Sequence, residues 1–129
     1  MEHFDIEVDP NNIIHLRLGD LTSDKLDELK KWADKVEKTI LDVFNRSGKK
    51  VRTIIDVTDL KKYDSEAFLI LADLMKANER YTLKTATFGG SEYILAAQDA
   101  LLALSGRTNF RAFSTKEEAL DWLIASSNQ

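Results

Sequence analysis

From residue 4 the chain alternates: Phe4, Ile6 and Val8 are apolar, Asp5 and Glu7 acidic, and further on Ile14, Leu16 and Leu18 alternate with His15 and Arg17. A period of two gives each segment one apolar face and predicts two half-buried strands. Asp9, Pro10, Asn11 and Asn12 between them are turn formers, so the two strands are expected to make a hairpin. From Ser23 the period lengthens. Leu26, Leu29, Trp32, Val36, Ile40 and Phe44 recur every three or four residues, while Lys30, Lys31, Lys35 and Lys38 fall elsewhere, which predicts an amphipathic helix of about 22 to 25 residues. Thr22 or Ser23 is expected to cap its start, Asp24 to sit favourably in its first turn, and Gly48 to close it in the left-handed conformation.

Three more strand–helix units follow. Residues 51–57 read as a strand before a helix from 65 to about 80, and residues 83–88 as a strand that passes through Gly89 and Gly90 into a helix from 91 to about 104. Residues 110–113 form a short strand before a last helix from 116 to about 126, at whose start Thr115 and Glu118 have capping-box spacing. Strands separated by crossover helices imply a mostly parallel sheet with right-handed connections. A sheet covered on both faces should have continuously apolar strands, whereas Arg17, Thr53, Thr85, Thr87 and Arg111 alternate with apolar neighbours. The expectation is an α/β fold with a mixed, mostly parallel five-stranded sheet and four helices packed chiefly on one face. That disfavours a doubly wound nucleotide-binding or receiver-type fold. A receiver is disfavoured further because the first strand lacks a terminal acidic pair to hold a metal, although Asp56 stands where an acceptor aspartate would.

At 129 residues with 43% hydrophobic and 31% charged positions, the chain is expected to be one domain spanning 1–129 with a single core. It has one proline and no internal repeat or linker. It contains no cysteine, which excludes disulfides and thiolate metal sites and fits a cytoplasmic location. The start has neither the basic nor the apolar region of a signal peptide, and no apolar run nears the roughly 20 residues that cross a bilayer. With a net charge of −4 and basic residues scattered among acids, the attraction for a phosphate backbone is missing, so nucleic acid is not an expected partner.

The run "IIDVTDLKKYDSEAFLIL" at 54–71 resembles the signature of the STAS domain, the fold of the SpoIIAA-like anti-sigma factor antagonists. That signature is a strand, an aspartate, one apolar residue and a serine or threonine, then six residues later Asp-Ser-Ser-Gly-Leu at a helix start. Asp56, Thr58, Asp64 and Ser65 match it. The segment "LGDLTSDKLDEL" at 18–29 is similar to the family's glycine-containing approach to the first helix, and "FSTKEEALDWL" at 113–123 is similar to the ends of SpoIIAA-like relatives. The resemblance implies a strand–helix superhelix with helices on one face. It also implies a departure: in family members regulated by phosphorylation the acceptor is the second serine, and Glu66 stands there, followed by Ala67 in place of glycine.

Asp64, Ser65 and Glu66 carry two readings. Asp64 as N-cap and Glu66 in the first turn account for them structurally; alternatively Glu66 holds permanently a weaker form of the charge that a phosphate would bring, about −1 rather than nearly −2. Asp56, Asp59 and Asp64 could converge at the carboxyl end of a strand, where α/β sheets place ligands, but without a second acidic cluster or phosphate loop they read as loop and cap residues. Gly89, Gly90 and Ser91 before a helix suit an anion or plain capping. His15 lacks a nucleophile or second histidine for a triad or zinc site and reads as a surface residue. Lys49, Lys50, Arg52, Lys61 and Lys62 read as solvated loop ends. The helices at 67–77 and 93–104 are apolar on more than one face, so part of them is expected either in the core or under a partner.

These observations favour a non-enzymatic regulatory module that contacts an unidentified protein through Asp59, Asp64, Ser65, Glu66 and Phe68, without catalytic residue, cofactor or metal. Two other readings stand beside it: a small-molecule or lipid-binding module related to CRAL-TRIO lobes, which requires a cavity of several hundred Å³ between helices and sheet, and a structural homodimer built on the apolar second or third helix.

Overall fold

The computed structural model describes residues 4–106 and 109–125. Five strands, β1 (Phe4–Val8), β2 (Ile13–Leu18), β3 (Val51–Asp56), β4 (Thr82–Phe88) and β5 (Phe110–Phe113), alternate with four helices, α1 (Leu26–Ser47), α2 (Ser65–Asn78), α3 (Glu92–Ser105) and α4 (Lys116–Ala125). The strands form one sheet in sequential order β1-β2-β3-β4-β5. β1 pairs antiparallel with β2, and the other pairs are parallel. Among the described residues no helix is long and apolar enough to cross a membrane. Ser126, the expected end of the last helix, lies outside the described residues.

The hairpin forms as the turn residues predict. Asn12 takes the left-handed conformation at φ 64°, and the Asp9 carboxylate accepts the backbone N–H groups of Asn11 and Ile13. Gly48 ends α1 at φ 70°, its N–H donated to the Phe44 carbonyl. The start of α1 differs from expectation. A short 3-10 turn, Ser23–Lys25, leads into it, and neither Thr22 nor Lys25 offers a side-chain cap. Thr22 donates instead to the Asp24 carboxylate, a bond that holds the Asp24 pKa below its ordinary value. The α2 helix likewise stops at Asn78 and tightens into a 3-10 turn, Glu79–Tyr81, before β4.

The register puts Phe4, Ile6, Leu16 and Leu18 on the same face as Thr53, Ile55, Thr85, Thr87 and Phe110. α1, α2 and α3 pack here, and Ile14, Leu29, Val36, Val43 and Ile94 are almost wholly buried in the core that results. The three threonines therefore do not mark the open face, as their polarity suggests. They point into the helix layer, where Thr53 donates to the Thr85 hydroxyl at 2.8 Å and Thr87 to the Gln98 side-chain carbonyl. A hydroxyl that finds a partner can be buried at small net cost.

The opposite face carries Ile13, Ile54, Ala86 and Phe88, and α4 covers part of it through Ala119 and Leu123, both fully buried. Three helices thus share one face and the fourth takes the other. Reciprocal bonds between Thr115 and Glu118 build the expected capping box at the start of α4. At its far end Arg52 donates to the Leu123 carbonyl at 2.8 Å and Lys84 to the Trp122 carbonyl at 2.9 Å. Two cations on last-turn carbonyls complement the helix dipole. Arg52 is consequently a half-buried strand residue that anchors a helix, not the solvated loop end its neighbours Lys49 and Lys50 suggested. Its side chain alternates onto the face that α4 occupies. Burial and the nearby Arg52 charge together lower the Lys84 pKa.

Candidate functional site

At the carboxyl ends of β2, β3 and β4 three loops meet. The first two are laced by reciprocal bonds: Leu21 N–H donates to the Lys62 carbonyl at 3.0 Å and Asp64 N–H to the Leu21 carbonyl at 2.7 Å. The Asp20 carboxylate accepts the N–H groups of Lys61 and Lys62, at 2.8 and 3.3 Å. The Asp64 carboxylate reaches the other way, accepting the Ser23 N–H at 2.6 Å and the Ser23 hydroxyl at 2.9 Å. Each loop thus supplies a carboxylate that satisfies backbone donors of the other.

This corrects the expected role of Asp64. It stands at the N-cap position of α2 with extended backbone, but its side chain makes no cap bond to that helix. A carboxylate satisfies whichever donors its rotamer reaches, and the Ser23 pair lies 41 residues away in sequence. Ser91 does cap α3 as expected, its hydroxyl accepting the Ile94 N–H at 3.3 Å.

The third loop is joined through Val57 N–H, which donates to the Phe88 carbonyl at 3.1 Å. Gly89 follows at φ 85°, and a Cβ there would stand 2.3 Å from the Thr58 hydroxyl oxygen. A glycine is required on both counts.

On this platform Tyr63 stacks between two rings: its centroid is 5.3 Å from Phe68 and 5.4 Å from Tyr93. Beside the stack Asp59, Ser65 and Glu66 are exposed, as is Leu69 at 53% and Tyr93 at 55%. Loss of solvent around the ring, with Tyr63 and Asp64 close by, holds the Tyr93 phenol above the usual tyrosine range. The structure brings Asp64, Ser65, Glu66 and Phe68 together at one helix start, with Asp59 on the turn before it. It adds Tyr63, which sequence reasoning passed over although it adjoins the Asp-Ser-Glu run, and it adds Leu69 and Tyr93 from the two helices whose apolar surplus was read as core or partner surface. That Tyr93 meets Tyr63 depends on where the third loop lands.

The three aspartates do not converge. Asp56 accepts the Thr58 N–H at 2.9 Å and faces Arg17 on the other side of the sheet at 3.9 Å, while Asp64 is turned to Ser23. Among the described residues no group of three carboxylate or histidine side chains is placed to hold a metal ion. His15 is half-buried and paired with Asp9 at 2.9 Å. Burial works to raise the Asp9 pKa, but the His15 hydrogen bond and the N–H groups of Ile13 and Asn11 outweigh it and bring it below the ordinary value.

Two concavities lie among the described residues away from this stack's exposed ring. A cleft of ≈ 230 Å³ lies on the part of the sheet that α4 leaves open, bordered by Asp5, Glu7, Arg17, Asp56, Phe88 and Lys116. A cavity of ≈ 80 Å³ lies between the sheet and the layer of α1, α2 and α3.

No family model matches the chain, nor does any curated protein. Solved structures do. An uncharacterised DUF3478-family protein with a SpoIIAA-like fold from Shewanella loihica PV-4 aligns at a TM-score of 0.66 with 20% identity, over 93% of this chain and 91% of that one. The anti-sigma factor antagonist SpoIIAA in its unphosphorylated form aligns at 0.61 with 18% identity, over 92% and 96%. The Bacillus cell fate determinant SpoIIAA in its phosphorylated form aligns at 0.60 with 19% identity, over 92% and 97%. The full-length alignments, with the sequential sheet and three helices on one face, show that this chain has the SpoIIAA-like fold.

Proposed function

We propose that the protein is a non-enzymatic, STAS-like regulatory module that binds another protein in the cytoplasm through the loop and helix start at 59–68, with Tyr93 and Leu69 as part of the contact. The observation that carries this reading is the Phe68–Tyr63–Tyr93 stack, half-buried at Phe68 and Tyr63 and exposed at Tyr93, beside the exposed Asp59, Ser65 and Glu66, on loops held by the Asp20 and Asp64 carboxylates. Rigid aromatic groups within a polar rim are the usual anchors of protein interfaces, because they bury large area while losing little side-chain entropy. The solved neighbours named as anti-sigma factor antagonists support a regulatory role. Glu66, at the position where the STAS signature has its acceptor serine, gives the surface a fixed negative charge, so the partner meets one state instead of two. The core cavity of ≈ 80 Å³ is far below the roughly 300–1,000 Å³ of sites for drug-sized ligands, which weighs against a lipid carrier.

The test is affinity capture from extract of the protein's own cells, with quantitative mass spectrometry on five baits. Wild type should retain a partner that Phe68→Ala and Tyr93→Ala each reduce at least tenfold, and that Glu66→Ala reduces less. Arg111→Ala, on the opposite face of the sheet, should leave it unchanged. Equal retention by all five baits would refute this contact surface.

A further inference from the structure

In the wall of the core cavity, threonines of β3 and β4 stand beside Asn78 and Gln98. These are partners enough for ordinary water, which accounts for Asn78 Oδ1 and Gln98 Nε2, buried side-chain atoms that have no hydrogen-bond partner among the described residues. The ≈ 230 Å³ cleft on the α4 face is built otherwise, with charges of opposite sign at its two ends. Register places Asp5, Arg17, Asp56 and Phe88 in one row across β1 to β4, and Glu7, His15 and Ile54 in the next. Asp5 and Glu7 therefore form an acidic end on β1. Lys116, in the first turn of the helix that lies over β4, forms a basic wall at the other end. Among the described residues neither Glu7 nor Lys116 has an ion-pair partner, while Glu118 is engaged with Thr115 and His15 with Asp9.

Between the ends Arg17 lies 3.8 Å from Asp5 and 3.9 Å from Asp56. At those distances the charges balance but no hydrogen bond is made. The guanidinium thus keeps its N–H donors and Asp56 Oδ2 its acceptor sites, Oδ1 being taken by the Thr58 N–H. A donor beside an acceptor is the complement of a peptide group, whose carbonyl accepts and whose N–H donates. Next to them buried Ile54 and half-buried Phe88 supply apolar surface. From β1 to β4 is three strand spacings, about 14 Å, and side chains reaching in from both ends reduce this towards the roughly 7 Å that two extended residues span. A single amino acid carries both charges around one carbon and cannot bridge the ends. The volume of ≈ 230 Å³, set against the roughly 150 Å³ that accommodates benzene, gives room in proportion for about nine non-hydrogen atoms, the number in a dipeptide backbone. We propose that this cleft is a binding site for a dipeptide with free termini, its ammonium on Asp5 and Glu7, its peptide group between Arg17 and Asp56, its carboxylate on Lys116 and an apolar side chain against Phe88 and Ile54.

The experiment titrates alanyl-leucine into the ¹⁵N-labelled full chain and follows amide resonances, alongside N-acetyl-alanyl-leucine, alanyl-leucinamide and leucine. Expected are saturable shifts at Asp5, Arg17, Asp56 and Phe88. Blocking either terminus should weaken binding about three- to fivefold, the worth of a partly solvated ion pair, and leucine should give no saturable shift. Lys116→Gln should weaken alanyl-leucine by the same factor and leave alanyl-leucinamide unchanged. Glu7→Gln should weaken alanyl-leucine and leave N-acetyl-alanyl-leucine unchanged. Both residues are exposed, so both variants should fold as wild type does. Shifts that rise linearly without saturating, leucine or the blocked peptides binding as tightly as alanyl-leucine, or variants that weaken free and blocked peptides alike would overturn the inference.

Discussion

The two faces of the sheet are packed by different means. Toward α1, α2 and α3 a broad apolar core includes even the threonines of β3 and β4, which bond to one another and to Gln98. Toward α4 the buried cluster is small, Ile13, Ile54, Ala86, Ala119 and Leu123, and two cations on carbonyls at the helix end supplement it. The remainder of that face is a charged cleft in which Arg17 lies 3.8 Å from Asp5 and 3.9 Å from Asp56. The first face holds the fold, and its carboxyl-end loops carry the candidate contact surface. The second holds one helix and little else, so disturbing it should remain local.

The largest effect should come from Leu123→Ala, which empties a fully buried site of the smaller cluster and should cost about 2–5 kcal/mol. Hydrogen exchange should then rise in α4 and along Arg52 and Lys84 while α1 stays protected; uniform loss of protection would mean that the two faces form one cooperative unit. Next is Gly89→Ala, where positive φ and the approach to Thr58 act together; a cost of about 2 kcal/mol or more in urea unfolding is expected. Adding Thr58→Ala should recover part of that loss, because it relieves the clash but not the φ.

Asp64→Ala removes both bonds to Ser23 and should cost about 1–2 kcal/mol, measured by the same unfolding. A cost near zero would mean that the loop lacing is incidental. The smallest effect belongs to the hairpin, where Asp9 pairs with His15 at 2.9 Å. The Asp9 pKa is lowered in the fold, against the rise that burial favours, by His15 and the backbone N–H groups of Ile13 and Asn11. Below its unfolded pKa the unfolded chain therefore binds more protons, so its contribution is present above that value and is lost as pH falls through the lower folded one. The stability difference between wild type and Asp9→Asn should accordingly shrink on acidification from pH 5 downward; a difference independent of pH would remove the carboxylate charge from the account.

Much of this architecture was legible because it depends on neighbours in sequence. The hairpin, the strand–helix order, the Gly48 end of α1, the Ser91 cap and the Thr115–Glu118 box each need residues a few positions apart. Asp64 shows the limit. Its place at a helix start was correct, yet its bonding went to Ser23, because the nearest donors belonged to another loop. The threonines show a second limit: alternation reveals that a strand has two faces, but not which of them lies under the helices.

The candidate site divides in the same way. Asp59, Asp64, Ser65, Glu66 and Phe68 were read as one run, and the resemblance to the STAS signature implied that Glu66 stands at its acceptor-serine position. The Phe68–Tyr63–Tyr93 stack joins loops after β3 and β4, and the two tyrosines are 30 residues apart. By itself the sequence determined the order, period and ends of the elements, since backbone sterics and capping act over a few residues. Tertiary structure decided the face taken by α4, the partners of Asp64 and Arg52, the amides left unpaired in the core and the meeting of the aromatic rings. Those depend on which loops and helices the packed sheet brings within hydrogen-bond or van der Waals reach, and that distance is set by the whole fold.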